Sequence, residues 1–190
     1  MRMLIQTGRM LLLASAWLLS ACAGGTGNLP SLPAIEAGQY RLDAGDEVRI
    51  TAYGMDALTN NYLVSDTGYI SLPLIDNVPA KGKTVGELQS DIAKILYEKE
   101  ILRSPSINVQ VTKYRPFYIL GEVKSPGEYP YRPGMSVLTA ISTAGGYTFR
   151  ADQSNMIVTR QVDGHGITGR ATENTPIQPG DTIRVKEGWF

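Results

Sequence analysis

One stretch of this chain, residues 117–147, constrains the fold more than any other because turn residues recur in it at short intervals. It reads FYILGEVKSPGEYPYRPGMSVLTAISTAGGY. The apolar run at its start predicts a strand that ends at Gly121, and Ser125-Pro126-Gly127 is a turn signal. A short strand is predicted over residues 128–131, before a second turn at Pro133-Gly134. The pattern therefore predicts two strands that lie close together in the chain.

A short helix is predicted to follow these strands. Ser136 suits its N-cap, because a serine side chain accepts a hydrogen bond from a backbone N–H of the first helical turn. Val137, Leu138 and Ile141 then form one apolar stripe. The double glycine at 145 and 146 ends the helix, since glycine adopts positive φ without steric cost. Each local signal agrees with its neighbours, which indicates a well-specified domain.

This order of residues resembles the start of an SLBB domain, a β-grasp module of bacterial polysaccharide export proteins. The likeness rests on the segment G-E-V-x-x-P-G-x-Y, which begins at Gly121, and on T-A-G-G-Y, which ends at Tyr147. The resemblance implies an SLBB domain over residues 115–187.

The sequence before this domain predicts a second unit built from strands and one helix. The polar–apolar alternation of residues 47–53 is typical of a half-buried strand. Residues 62–64 and 69–75 flank S-D-T-G, which predicts a β-hairpin with Gly68 at positive φ. Another alternating strand is expected over residues 107–111.

A capped helix is predicted between that hairpin and the last strand. Thr84 and Glu87 form a T-x-x-E capping box. Apolar residues follow at helical spacing, namely Val85, Leu88, Ile92, Ile95 and Leu96. Gly82-Lys83-Thr84 resembles the end of a phosphate-binding loop, but Asn77 stands where that motif requires glycine. The sequence therefore favours a helix cap over a nucleotide site.

Residues 39–114 resemble the N-terminal domain of the polysaccharide export family. The likeness rests on Y-R-L-D-A-G-D-E-V-R-I from Tyr40, on V-S-D-T-G-Y-I-S-L-P-L-I from Val64 and on S-P-S-I-N-V-Q-V from Ser104. The fold class expected for the whole chain is α+β, a small mixed-sheet export domain followed by a β-grasp (SLBB) domain. Tyr114-Arg115-Pro116 is a join short enough for the two domains to touch.

The N-terminal residues have the order of a bacterial export signal. Arg2 and Arg9 precede or flank an apolar run that is shorter than the roughly 20 residues of a spanning helix, and L-S-A-C ends it at Cys22. That tetrapeptide resembles the lipobox of bacterial lipoproteins. The resemblance implies removal of residues 1–21 and lipidation of Cys22, and Ala23 after it suggests sorting to the outer membrane. An ordinary signal peptide that ends beside a free thiol is the alternative.

Residues 22–38 are predicted to be a flexible tether. Glycine and proline recur there and charge is almost absent, the residues being Gly24, Gly25, Gly27, Pro30, Pro33 and Gly38. As a flexible chain, this segment has an r.m.s. reach of about 20–25 Å. Removal of the signal leaves 16 basic against 18 acidic residues, a net charge of −2. Nucleic acid is therefore not an expected partner.

The sequence predicts neither an enzyme nor a cofactor or metal site. His165, the one histidine, lies in a glycine-rich turn without a G-x-S-x-G elbow, and a zinc site needs more His or Cys ligands than the chain has. Residues 164–169 fit the dinucleotide fingerprint G-x-G-x-x-G. That motif needs a helix next, whereas residues 170–180 contain two prolines and several poor helix formers.

Tyrosine is enriched over phenylalanine, ten residues against three. A tyrosine ring offers a flat apolar face and a polar tip, which suits contacts with sugars or subunits. Tyr129, Tyr131 and Tyr147 are the candidate contacts with a partner or a glycan, with Tyr129 and Tyr131 expected on one face of their strand. The alternative is that tyrosine simply suits half-buried strand positions.

A short motif, G-D-x-[VI]-R-[VI], occurs once in each predicted domain. Gly45-Asp46 begins the first copy and Gly180-Asp181 the second. A turn in which aspartate caps the bend and glycine supplies positive φ explains the repeat. A shared binding site is the alternative.

The resemblance to the export family implies a non-catalytic function in the export of exopolysaccharide or capsular polysaccharide. The expected partners are the polysaccharide, an inner-membrane polysaccharide co-polymerase, the outer membrane through a lipid anchor, and further copies in a periplasmic homo-oligomeric ring. No pore helix follows the single SLBB domain, so the chain is not expected to form a pore alone. Trp189 and Phe190 either dock on a neighbour or a membrane, or fray. A glycan-binding or sensing lipoprotein without transport is the alternative function.

Overall fold

The computed structural model describes residues 29–32, 40–162 and 164–188. These residues form two units that contain both helix and sheet, each around its own apolar core. The α+β fold class is as predicted. Cys22, Trp189, Phe190 and most of the predicted tether lie outside the described residues.

The first unit is a three-stranded antiparallel sheet with a helix and a separate hairpin. Its elements are β1 (Glu47–Ala52), β2 (Asn60–Leu63), β3 (Tyr69–Leu72), β4 (Asp76–Pro79), α1 (Val85–Glu98) and β5 (Ile107–Lys113). β1 lies between β2 and β5, and β3 pairs with β4. Alternation along β1 buries Val48 and Ile50 completely and leaves Arg49 exposed, so the sequence pattern sets which face meets the core.

The hairpin predicted across residues 65–68 is wrong in its strand pairing. The turn itself exists, because Gly68 has φ 86° and its N–H donates to the carbonyl of Ser65. The strands on either side separate, since β2 pairs with β1 whereas β3 pairs with β4. The strand predicted over residues 69–75 is too long, because its apolar pattern extends to Ile75, which is buried in the turn to β4. Leu74, beside Ile75, has a φ of 72°, which is not the φ of a strand residue.

Helix α1 begins with the predicted capping box. The Thr84 hydroxyl accepts a hydrogen bond from the Glu87 N–H, and the Glu87 carboxylate accepts one from the Thr84 N–H. Three residues on one face of the helix are fully buried, namely Leu88, Ile92 and Leu96. Gly82-Lys83-Thr84 therefore leads into a helix cap.

The second unit is a five-stranded sheet with one helix. Its elements are β6 (Phe117–Gly121), β7 (Gly127–Tyr129), α2 (Val137–Thr143), β8 (Ala151–Val162), β9 (His165–Ala171) and β10 (Thr182–Glu187). The strand order is β7-β6-β10-β8-β9, with β6 and β10 parallel and the other pairs antiparallel. A central parallel pair beside a helix is the arrangement expected of a β-grasp fold.

Helix α2 has the predicted N-cap but a different apolar stripe. Ser136 caps it, and Val137 and Ile141 are buried as expected. Leu138, however, is 40% exposed, and Ala140 takes the third place in the core. The prediction that Leu138 belongs to the stripe is therefore wrong, because helical geometry favours the i+3 position over the more apolar residue. The double glycine ends the helix with both φ angles positive, as predicted.

Strand β7 is shorter than predicted. It ends at Tyr129, because Pro130 has no N–H to continue the ladder. Tyr131 lies beyond the strand, so the expected common strand face of Tyr129 and Tyr131 is wrong. Residues 164–169 form the end of a turn and most of β9, so the fingerprint G-x-G-x-x-G is followed by no helix.

Part of the predicted tether is paired with the second unit. We call residues 30–32 the strap. The Leu32 N–H donates to the carbonyl of Arg170 at 3.0 Å, and the Arg170 N–H donates to the carbonyl of Pro30 at 2.8 Å. Leu32 also packs on the second core. A flexible tether is therefore the wrong description for these residues, because an apolar side chain and an open strand edge hold them.

Candidate functional site at the domain junction

The three candidate tyrosines do not form one site. Tyr129 pairs with Phe117 at the start of β6, whereas Tyr147 bridges to Val123, just beyond the end of β6. Tyr131 follows β7. All three are half-buried and pack against the core of the second unit. The structure thus places Tyr147 at the opposite end of β6 from Tyr129.

Tyr129 supports the turn between β6 and β7. Its ring stacks on Phe117 with the ring centroids 6.0 Å apart. Its hydroxyl donates to the carbonyl of Ser125 in that turn. One face of the ring is therefore occupied by the protein's own core.

Tyr147 is held by a carboxylate. Its hydroxyl donates to Oε1 of Glu173 at 3.1 Å and lies 3.6 Å from the sulfur of Met156. Burial, together with the hydrogen bond and charge of Glu173, raises the pKa of Tyr147 to about 12. The phenol therefore keeps its proton at neutral pH and links the segment between α2 and β8 to the segment after β9.

Tyr131 belongs to a row of three rings that crosses between the two units. Its ring meets Tyr114 edge-to-face with centroids 5.5 Å apart, and Tyr114 meets Tyr40 in the same way at 5.0 Å. We call these three residues the tyrosine row. Aromatic pairs in this geometry are each worth about 0.5–1.5 kcal/mol beyond the area that they bury. Sequence reasoning missed Tyr40 and Tyr114, and only the position of Tyr114 beside the join hinted at its role.

Arg115, the next residue, binds both units. Its backbone N–H donates to the Asp46 carboxylate at 2.9 Å, and its Nη1 lies 3.4 Å from Oδ2 of Asp43. On the other side, its Nε donates to the carbonyl of Pro179 at 3.1 Å. The Arg115 side chain is only 19% exposed. The join is therefore a bonded junction between the units.

Asp46 is the buried acceptor of this junction. Besides the Arg115 N–H, its carboxylate accepts the Tyr40 hydroxyl at 2.6 Å and the Asp43 N–H at 2.8 Å. Burial and then the hydrogen bond to Asp46 raise the pKa of Tyr40 above its ordinary value. Burial alone would also raise the pKa of Asp43, but the hydrogen bond from Lys81 and the charge of Arg115 contribute to a net lowering.

The second G-D turn has the same local geometry. The Asp181 carboxylate accepts the Gln178 N–H at 2.7 Å, as Asp46 accepts the N–H three residues before it. It also accepts Nε and Nη2 of Arg160 at 2.9 and 2.6 Å, and both members of this ion pair are buried. The repeated motif is a turn capped by aspartate, as predicted.

Both turns meet at Arg115. A Cβ on Gly45 would lie 3.6 Å from Cβ of Arg115, and a Cβ on Gly180 would lie 2.7 Å from its Nε. Gly45 and Gly180 have φ angles of 91° and 84°. The recurrence of G-D in the sequence thus has a second consequence, because the two turns enclose one arginine at the junction.

Within the described ranges, no group of three or more His, Cys, Asp or Glu residues is arranged to hold a metal ion. His165 begins β9. No helix among the same residues has the length and apolar character needed to cross a membrane.

Two family models match the chain in tandem. The model for polysaccharide biosynthesis/export proteins matches residues 34–112, and the SLBB domain model matches residues 116–171. The chain belongs to the polysaccharide export protein family. In this family member, the junction residues Tyr114 and Arg115 fall in the gap between the two matched segments. Strand β10, in the middle of the SLBB sheet, lies beyond the end of the segment that the SLBB model matches.

Curated relatives of this family member carry names from exopolysaccharide systems. The exopolysaccharide production protein ExoF of Rhizobium meliloti is 37% identical over 141 residues, which are 68% of this chain and 33% of ExoF. The EPS I polysaccharide export outer membrane protein EpsA of Ralstonia nicotianae is 26% identical over 179 residues, 86% of this chain and 46% of EpsA. A protein of the same name from Ralstonia solanacearum is 29% identical over 136 residues, 66% of this chain and 36% of that protein. The chain thus spans less than half the length of each of these relatives.

Proposed function

We propose that this protein is a non-catalytic lipoprotein of the outer membrane that takes part in the export of exopolysaccharide or capsular polysaccharide. The observation that carries the proposal is the tandem of an export domain and an SLBB domain on one chain. The printed names of ExoF and EpsA, which refer to exopolysaccharide production and to polysaccharide export at the outer membrane, support it.

The proposed membrane attachment is the lipidated Cys22. Its support is the sequence L-S-A-C at the end of a short apolar run, with Ala23 next. Several acyl chains on one residue anchor a protein stably, whereas one chain alone gives only marginal binding. The two folded domains then face the periplasm.

We further propose that copies of the chain assemble as a periplasmic ring that connects an inner-membrane co-polymerase to the outer membrane. Both domains leave large apolar side chains exposed, including Leu63, Leu74 and Tyr97 in the export domain and Tyr118, Leu120 and Phe149 in the SLBB domain. An apolar side chain that is exposed in one copy gains free energy when a contact between subunits removes it from water. The bonded junction at Arg115 also supports a ring, because heterologous contacts close a ring only if each subunit keeps one shape.

Tyr129, Tyr131 and Tyr147 stay the proposed contacts with a partner or with the polysaccharide. Each side chain is half-buried, so the core holds its aromatic ring in place while part of that aromatic ring stays accessible. A fixed ring loses little conformational entropy when a sugar packs against it. Replacement of each tyrosine by leucine, one at a time, tests this proposal. The measurement is polymer yield in strains in which the protein level and the number of subunits in the oligomeric ring are unchanged.

Deletion of the gene tests the proposal as a whole. We expect polymer to disappear from the medium while lipid-linked precursors are still made, and the wild-type gene to restore secretion. The Cys22→Ala variant is expected to stay unanchored in the periplasm or to keep its signal. Unchanged secretion after deletion overturns the export proposal. If a monomer also bound purified oligosaccharide, the sensing function would replace it.

A further inference from the structure

The strap determines how far the proposed lipid anchor lies from the SLBB domain. Pro30 and Leu32 make their two backbone hydrogen bonds to Arg170, and Ser31 forms an isolated parallel bridge with Arg170 of β9. In the strand order of the sheet, β9 would otherwise be an open edge. The strap therefore attaches the N-terminal segment to one particular edge of one domain.

Gly169 makes room for this attachment. A Cβ at Gly169 would lie 2.6 Å from the Cα and 2.7 Å from the backbone nitrogen of Leu32, distances that real Cβ atoms do not adopt. Its nearest atoms all belong to Leu32, and Gly169 does not have the positive φ that would by itself require glycine. The glycine is thus explained by close approach of the strap.

The segment between Cys22 and the strap is short, so the strap contact determines which side of the SLBB domain lies near the anchor. Seven residues separate Cys22 from Pro30, so a fully extended chain places the Cα of Cys22 at most about 29 Å from the strap. A flexible segment of this length has an r.m.s. reach of only about 16 Å. Without the strap, the free chain would run from Cys22 to Tyr40, and the anchor would favour neither edge of the SLBB sheet.

We propose that the β9 edge of the SLBB domain is the side of the protein that faces the lipid surface, because the strap fixes the chain there a few residues after the lipidated Cys22. This inference rests on the proposed lipidation. The occupant of the space beside β9 is a bilayer surface. The opposite edge of the same sheet, β7, lies four strands away, which is about 19 Å.

Short-range quenching in vesicles tests this orientation. Lipidation turns the Cys22 sulfur into a thioether, so a cysteine introduced elsewhere is the one free thiol of the lipidated protein. Thr168→Cys places a fluorophore on β9, and Glu128→Cys places the same fluorophore on β7; both positions are exposed. The labelled proteins are incorporated into phosphatidylethanolamine–phosphatidylglycerol vesicles that contain a nitroxide-headgroup lipid. We expect quenching at position 168 to exceed that at position 128 at least twofold.

A matched pair of substitutions on β9 isolates the strap. Gly169→Ala forces the strap off its edge, whereas at Gly166 a Cβ meets nothing closer than 3.5 Å, so Gly166→Ala leaves the strap in place. We expect Gly169→Ala to bring the quenching ratio close to one and to speed hydrogen exchange of the Arg170 amide. Gly166→Ala is expected to change neither.

The two proposals fail in different ways. A protein that does not float with the vesicles carries no lipid, which overturns the anchor and this inference with it. A protein that floats but is quenched equally at both edges, or more at β7, overturns the orientation alone. An unchanged quenching ratio in Gly169→Ala, with faster exchange at Arg170, shows that the strap does not set the orientation.

Discussion

The backbone N–H of Arg115 donates a 2.9 Å hydrogen bond to the carboxylate of Asp46, so the first residue after the export domain is fixed to that domain's opening turn. The guanidinium of Arg115 then reaches the Pro179 carbonyl in the SLBB domain. A linker with such bonds on both sides holds the domains in one orientation. This is the physical basis for treating the two domains as one rigid subunit.

Removal of the Asp46 carboxylate is expected to destabilise this subunit strongly. Asp46→Ala leaves three donors without their acceptor: the hydroxyl of Tyr40 and the backbone N–H groups of Asp43 and Arg115. It also leaves Arg115 with one fewer buried counter-charge. Loss of one partner from a buried charged network costs about 3–5 kcal/mol, and urea unfolding measures that loss.

Asp66→Ala is the control for this prediction. Asp66 is exposed and caps only the next residue, Thr67, within a surface turn. Its replacement is expected to change the unfolding free energy by no more than about 0.5 kcal/mol. Equal losses in the two variants would show that the junction contributes no special stability.

The tyrosine row predicts a measurable coupling between the domains. Tyr114→Leu keeps an apolar side chain but removes two edge-to-face contacts, one with Tyr40 and one with Tyr131. We expect a loss of about 1–3 kcal/mol and separate unfolding transitions for the two domains, followed by calorimetry. Tyr97→Leu, at a position 63% exposed on α1, should keep one transition. A single transition in both variants would contradict the coupling.

The sequence predicts best those features that depend on residues only a few positions apart in the chain. The capping box at Thr84, the N-cap at Ser136 and the positive φ angle at Gly68 depend on residues three or fewer positions apart. The pairing of β2 with β1 does not, because it depends on which strand edge is free in the folded sheet. Leu138 shows a further limit, since helix geometry buried the smaller Ala140 in its place.

The candidate site was predictable only in part, for the same reason. The sequence predicts Tyr131 as a strand residue, whereas it lies beyond β7 and its contact leads through Tyr114 to Tyr40, which is far away in the sequence. The G-D repeat was visible, yet nothing local indicated that both copies enclose Arg115. Glycine and proline dominate the neighbourhood of the strap, so the sequence predicts a flexible tether there.

Gly121 is expected to tolerate no side chain. It has φ 92°, and a Cβ there would lie 1.9 Å from the carbonyl oxygen of Val185 on the neighbouring strand β10. Gly121→Ala must therefore separate the parallel pair β6–β10 at the centre of the SLBB sheet. We expect a loss of more than 3 kcal/mol, or insoluble protein, in expression and urea-unfolding assays.

Gly127 provides the matched comparison, because it belongs to the same sequence motif. A Cβ there meets nothing within 4 Å, and its φ is not positive. Gly127→Ala is expected to stay within about 1 kcal/mol of the wild type. A soluble, stable Gly121→Ala protein would show that β6 and β10 pair less closely than the structure has them.

The raised pKa of Tyr147 predicts a loss of stability at alkaline pH. The pKa is about 12 in the folded protein, mainly through burial and then Glu173, against about 10 in an unfolded chain. Below pH 10 both states keep the proton, so the contribution of Tyr147 is fully present. Between about pH 10 and 12 the unfolded chain loses its proton while the folded protein keeps it, so stability falls as the pH rises. In Tyr147→Phe this part of the decrease is absent.

Urea unfolding from pH 9 to 12 should therefore show a shallower decrease of the unfolding free energy with pH for Tyr147→Phe than for the wild type. Phenolate absorbance should show one high-pKa tyrosine fewer. Parallel slopes in the two proteins would mean that Tyr147 titrates alike in the folded and unfolded states, and that its bond to Glu173 is not maintained in solution.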